Sequence, residues 1–151
     1  NNNEKKVVEI KDVQTCIANS SIESLEKLVF STGDINQYNV DYLMTKYFSN
    51  EANPVKLIRA LQKHFQRLHF VRLKLDQGED FESITKSLRP PIFFKWKVVF
   101  KNQAKIWSIF KLNKVLKMLL DCEIQCKTTG MPSKILCMNL LLKISQVAKI
   151  N

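Results

Sequence analysis

Gly33, Gly78 and Gly130 are the only glycines in the chain, and each ends an apolar, helix-patterned run. Gly33 follows "LEKLVFST", Gly78 follows "RLKLDQ" and Gly130 follows "CEIQCKTT". A glycine just past a helix end supplies the left-handed residue that closes the last turn. Pro132, two residues on, strengthens the third stop. No run alternates apolar and polar residues as a half-buried strand would.

The starts are written as clearly. Ser20 with Glu23, and Asp34 with Gln37, have capping-box spacing. Asn53–Pro54 and Pro91 are N-cap and first-turn proline signals, and Asp80 can cap "FESITKSL". Helices are expected over roughly 11–19, 21–31, 35–49, 54–76, 81–88, 91–106, 109–128 and 132–149, with Val7–Ile10 extended. The fold class is therefore all-α, a helical bundle of about seven to eight helices. The last helix, "KILCMNLLLKISQVA", is apolar on nearly all sides and is expected at the bundle centre.

Within Pro54–Asp76, Leu57, Leu61, Phe65, Leu68 and Leu75 share one helical face, and Lys56, Arg59, Lys63, Arg67 and Lys74 the opposite one. The basic stripe reads as a solvated face. Arg72 falls in the apolar sector, where it either snorkels or meets a carboxylate from another helix.

The stretch Ser87–Phe100, "SLRPPIFFKWKVVF", mixes aromatics with lysines. Counting from Pro91 as a first-turn residue, Phe93, Trp96, Phe100, Ala104 and Trp107 form one helical stripe and are expected in the core. Phe94 projects about 100° away, toward Lys97, Lys101 and Lys105. Phe94, Lys95, Lys97, Lys101 and Lys105 are thus the candidate nucleic-acid-binding residues: the ring stacks on an unpaired base while lysines hold phosphates. Alternatively, Phe94 packs under a neighbouring helix or partner subunit.

Composition sets the outer bounds. The chain has 151 residues and a net charge of +10, unevenly spread. Residues 1–53 carry 5 basic and 8 acidic side chains, and residues 54–151 carry 19 and 6, leaving −3 and +13. Between Arg89 and Lys117 there are 8 basic residues and no acidic one. This asymmetry points to nucleic acid or an acidic partner, or else to a lysine-rich solvated surface. There is no apolar run long enough for a membrane span. The start "NNNEKK" has no signal-peptide character and no initiator Met, so the chain is expected to be a piece of a longer protein.

Chemistry is sparse. Three capping glycines make no phosphate loop. His64 and His69 lie on different faces without an acidic neighbour at helical spacing. Of the four cysteines, Cys16, Cys122, Cys126 and Cys137, the pair Cys122 and Cys126 is one turn apart, but with no matching His or Cys pair these two read as buried and structural. Apolar, helical surroundings for these four thiols fit the reducing cytoplasm. Glu123 and Lys127 form an i, i+4 pair, expected at the surface or between helices. No catalytic residue, metal ligand or cofactor site is apparent, so no enzyme activity is expected of the chain.

Three segments, "LIRALQKHFQRLHFVR" (Leu57–Arg72), "LRPPIFFKWK" (Leu88–Lys97) and "DCEIQCKTTGMP" (Asp121–Pro132), resemble in order and spacing the C-terminal part of the delta subunit of the bacterial DNA polymerase III clamp loader. The leading "VVEIKDVQTCI" resembles the end of that family's small helical lid domain. The resemblance is strongest over 54–132, and the proline–phenylalanine motif is specific to a subset of the family. It implies that residues 1–20 are a lid-domain remnant and 21–151 a collar domain, which packs with the collars of other loader subunits of the tau/gamma and delta-prime types during sliding-clamp loading. The family's delta subunit hydrolyses no ATP, and it opens the clamp through an N-terminal domain that has no counterpart in this sequence. In the family, primer–template DNA passes beneath the collar, so the resemblance implies that the Phe94 face lies near it. Family members usually carry a basic residue where this chain has Trp96, so no DNA contact carries over to that position. The rival reading, a stand-alone basic helical nucleic-acid-binding module, rests on the +13 charge of residues 54–151 and on Phe94 among lysines.

Overall fold

The computed structural model describes residues 9–34, 39–50 and 52–150. Seven α-helices follow one another among them: α1 (Ile10–Thr32), α2 (Val40–Ser49), α3 (Pro54–Asp76), α4 (Phe81–Ser87), α5 (Lys97–Ile106), α6 (Ile109–Cys126) and α7 (Ser133–Lys149). A single 3₁₀ turn, Phe94–Trp96, leads into α5. The described residues contain no strand, so the expected all-α bundle is the observed one.

Local chemistry sets several boundaries as expected. The Asn53 side chain accepts from Val55 N at 2.9 Å with Pro54 at the first helical position, and Asp80 accepts from Ser83 N at 3.0 Å. Gly78 and Gly130 have φ of 85° and 79°, the left-handed stops foreseen for them. The Asp34–Gln37 capping box lies partly outside the described residues, as do two of the four residues of Val7–Ile10; of the others, Glu9 is extended and Ile10 opens α1.

Three expectations are corrected. First, α1 does not break at Ser20. A break would orphan backbone groups at two new helix ends, whereas Ser20 and Ser21 on an exposed helix cost only tenths of a kcal/mol each. Second, α3 rather than α7 is the central helix. Leu57, Ile58, Leu61, Phe65, Leu68 and Val71 are fully buried, and α1, α4, α5, α6 and α7 all pack on it. Ile135 and Leu142 leave one side of α7 open to solvent. Third, Gly33 is not left-handed, since its φ is −76°. It is small for another reason: a Cβ there would lie 2.7 Å from Gln103 Oε1.

That contact belongs to a buried polar clasp. Gln103 Nε2 donates to the Phe30 carbonyl at 2.7 Å, Gln103 Oε1 meets His64 Nε2 at 2.8 Å, and Trp107 Nε1 donates to the Gly33 carbonyl at 2.8 Å. The clasp joins the C-terminal end of α1 to α5 and α3. Because the Gln103 amide N–H₂ is spent on Phe30, its oxygen accepts, so the His64 proton sits on Nε2. Burial holds the His64 imidazolium down to a pKa of about 4, against a smaller opposing effect of Gln103.

Gly33→Ala should destabilise the fold by about 1–3 kcal/mol, the usual cost of an overpacked contact, measured by urea unfolding. His64 predicts an acid limb. Unfolded histidine, titrating near 6.5, binds a proton that the folded state refuses down to about 4. Stability therefore falls as pH drops from about 6.5 toward 4, by roughly 3 kcal/mol in all. Urea midpoints across that window should show the slope in the wild type and lose most of it in His64→Gln.

Candidate nucleic-acid interface

The face is built on a proline hinge. Leu88 is extended (φ −66°, ψ 137°), and Phe93 is extended too (φ −62°, ψ 138°). Pro91 therefore does not open a helix. A φ near −65° suits polyproline conformation as well as a helical first turn, so the proline signal fits both. Arg67 of α3 pins the hinge, donating from Nη2 to the Pro90 carbonyl at 3.1 Å, with its guanidinium 5.8 Å from the Phe100 ring centroid.

The late start resets the aromatic stripe. Phe100, Ala104 and Trp107 are fully buried, as the spacing predicts. Trp96 is half-buried, stacked on Phe30 with centroids 4.4 Å apart and planes 5° off parallel. Its indole Nε1 is buried without a partner among the described residues. Phe93 is not core: it is 64% exposed, because its extended backbone turns it off the helical phase assumed for it. Phe94 is 89% exposed and Val98, one turn on, 72%. The sequence reading placed Phe94 at the surface and missed Phe93 beside it.

The lysines divide into two classes. Lys95 Nζ lies 3.3 Å from Glu26 Oε2 of α1, and 5.6 Å and 5.4 Å from the Phe93 and Trp96 ring centroids. Lys97 is paired with Glu82 of α4. Lys101 is exposed with its ammonium 5.3 Å from the Phe81 centroid, and Lys105 is exposed. Among the described residues neither has a carboxylate at ion-pair distance. The structure thus brings all five candidates onto one segment, Phe94–Lys105, with two of the four ammonium groups engaged by carboxylates from elsewhere.

The basic stripe of α3 is mostly structural. Arg59 Nε meets Glu123 Oε1 at 3.1 Å, and Lys74 meets Glu79 at 2.7 Å. Glu123 also accepts from Gln62 at 2.8 Å and Lys127 at 2.6 Å. These bonds, Lys127 foremost, hold its carboxyl down to about 2 and tie α3 to α6. The Glu123–Lys127 pair is thus part of an interhelix network. Arg72 finds its carboxylate on its own helix, Asp76 Oδ1 at 2.6 Å. The Cys122 and Cys126 sulfurs are 4.0 Å apart, and burial first of all raises the Cys122 and Cys137 thiols to about 12. They are protonated and inert at neutral pH. Among the described residues no cluster has a metal-binding arrangement, and no helix is long and apolar enough to cross a membrane.

No family model matches the chain. It is 37% identical over 100 residues to a probable DNA polymerase III subunit delta of Rickettsia prowazekii, a match that takes in 66% of this chain and 30% of that protein. The chain therefore spans about a third of the length of that relative. Its fold is that of the Bacillus subtilis DNA clamp loader delta protein, with a TM-score of 0.70 and 17% identity over 90% of this chain and 40% of that one. The resemblance carried by the three sequence segments is borne out by both comparisons.

Trp107→Ala should cost about 3–5 kcal/mol, as large buried aromatics do. Phe93→Ala and Phe94→Ala should each cost under about 0.5 kcal/mol, as exposed positions do. Thermal and urea unfolding of the three variants checks the contrast; an equal loss at Phe93 and Trp107 would return Phe93 to the core.

Proposed function

We propose that this chain is the helical assembly region of a clamp-loader delta subunit, acting in DNA replication without chemistry of its own. The observation that carries the reading is the 37% identity to the Rickettsia delta protein, supported by the shared fold. It favours an assembly role over a stand-alone nucleic-acid-binding module. In this reading residues 21–151 are the collar and residues 1–20 the end of the lid domain, with α1 running from one into the other. The partners are other loader subunits, of the tau/gamma and delta-prime types, and the setting is cytoplasmic.

Two surfaces suit such packing. Phe110, Leu120 and Ile124 lie exposed on α6, and Ile135 and Leu142 on α7. On α1, residues 9–23 are all exposed, and Ile10, Val13 and Ile17 recur at helical spacing. Single exposed apolar residues are ordinary, but stripes of them mark contact faces.

The Phe93–Phe94 face is read as the DNA-facing part of the same domain. Two adjacent exposed rings can stack on unpaired bases, with Lys101 and Lys105 free for phosphates and Lys95 and Lys97 reachable once their carboxylates are displaced.

Two measurements test the reading. Mixed with tau/gamma- and delta-prime-type subunits, the chain should co-elute in size-exclusion chromatography. Leu120→Asp/Ile124→Asp should abolish co-elution with the unfolding midpoint nearly unchanged; undiminished assembly would exclude this face. In fluorescence anisotropy with a primer–template, four lysine–phosphate contacts would weaken binding roughly a hundredfold between about 50 and 200 mM salt. Phe94→Ala should cost about 1–3 kcal/mol of affinity. No binding at low salt would leave the lysines as solvating groups only.

A further inference from the structure

An open cleft of ≈ 470 Å³ separates α1 from the Phe93–Lys95 segment, lined by Asn19, Ile22, Glu23, Glu26, Phe93 and Lys95. The Lys95 ammonium sits at its edge, against the Phe93 and Trp96 rings and 3.3 Å from Glu26 Oε2. Glu23, one turn back on α1, is paired with Lys27 at 2.9 Å and also feels the Lys95 charge. The cation against the exposed Phe93 ring is therefore paired with Glu26 and lies within the field of Glu23, both supplied by a helix that is otherwise anchored elsewhere.

The ion pair does little to hold α1 in place. Its side chains are 43% and 34% exposed, and exposed pairs of this kind contribute little stability. The root of α1 is held by the buried bonds of Gln103 and Trp107 to the Phe30 and Gly33 carbonyls. What Glu26 does do is occupy a lysine whose ammonium lies against the exposed Phe93 ring. A carboxylate there fills the place of a backbone phosphate beside a stacked base.

We infer that Glu26, backed by Glu23, is a built-in competitor for the nucleic-acid site: it occupies Lys95 in the free chain, and a DNA phosphate must displace it to engage the Phe93–Phe94 platform. This rests on the reading of that face as DNA-binding. The contact is autoinhibitory, and it links occupancy of the platform to the charge state of the α1 face above it. A half-exposed pair suits the role, because it lowers affinity modestly and yields to a polyanion.

The test is anisotropy of the 151-residue chain with the same primer–template at low salt. Glu26→Gln should tighten binding about two- to fivefold, the range an exposed ion pair allows. Asp41→Asn, an equal charge change at an exposed position of α2, should leave affinity within error. In a Lys95→Met background the gain from Glu26→Gln should vanish, since no ammonium remains to release. An equal gain from Asp41→Asn would mean a general field effect and would overturn the inference. So would wild-type binding that Lys101→Ala and Lys105→Ala weaken but Glu26→Gln leaves unchanged; the DNA-facing reading would then stand without the competitor. Absence of binding by both wild type and Glu26→Gln at low salt would overturn the two together.

Discussion

The carboxamide of Gln103 is the interaction on which the arrangement of this molecule most depends. It is fully buried and both of its ends are spent, one on the Phe30 carbonyl and one on His64. A buried amide with one partner removed leaves a desolvated group unpaired, which costs more than the bond itself contributes. Three helices therefore keep one mutual register: α1 through Phe30, α3 through His64 and α5 through Gln103. Gly33 lets the amide approach, and Trp107 closes the clasp at the next carbonyl. Every candidate residue of the interface lies on the segment this clasp fixes, so the geometry of the surface is set from the inside.

Charge gives the second level of organisation. The excess of +13 in residues 54–151 acts at long range whatever its local pairing, since ion pairs leave net charge unaltered. Close contact with a phosphate is different, because a paired ammonium must first leave its carboxylate. Arg59, Lys74, Lys97 and Lys127 all have such partners, and Arg67 is committed to a backbone carbonyl. What remains unpaired on the candidate segment, among the described residues, is Lys101 and Lys105, with Lys95 available once Glu26 is displaced. A basic count along the sequence shows the field and cannot show this restriction.

Much of the fold was legible because short-range chemistry decides it. Asn53–Pro54 and Asp80 cap the helices they were expected to cap, and Gly78 and Gly130 adopt the left-handed stops. The failures share a cause. Pro91 satisfies both a helical turn and an extended hinge, and packing of Ile92 against the core together with the Arg67–Pro90 bond accompanies the extended form. That choice moved Phe93 to the surface, a shift invisible to a stripe counted from Pro91. Gly33 does end α1, but with a φ of −76°, and what demands glycine there is close approach to a side chain 70 residues on. The partners of Lys95 and Lys97, Glu26 and Glu82, belong to other helices, so lysine spacing alone could not show which ammonium groups are free. The central place of α3 likewise follows from packing rather than from hydropathy, by which α7 is the more apolar-looking helix.

The two kinds of bond along α1 differ in strength in a way that bears on function. At 1.5 Å per residue the helix is about 35 Å long, and its buried side-chain bonds to α5 lie at its C-terminal root, at Phe30 and the capping Gly33. About one turn upstream comes the solvent-exposed Glu26–Lys95 pair, and beyond it residues 9–23 are exposed with an apolar stripe to offer. A ligand at Lys95 can therefore remove the outer contact without touching the inner ones. The root stays fixed, and the changed surface is the Glu23–Glu26 side of α1, about half a turn around the helix from that stripe. A partner seated on that acidic side of α1 would meet a carboxylate that is either paired or free according to what occupies the Phe93–Phe94 face. The strong bonds thus set where the helix points, and the weak one sets what it presents.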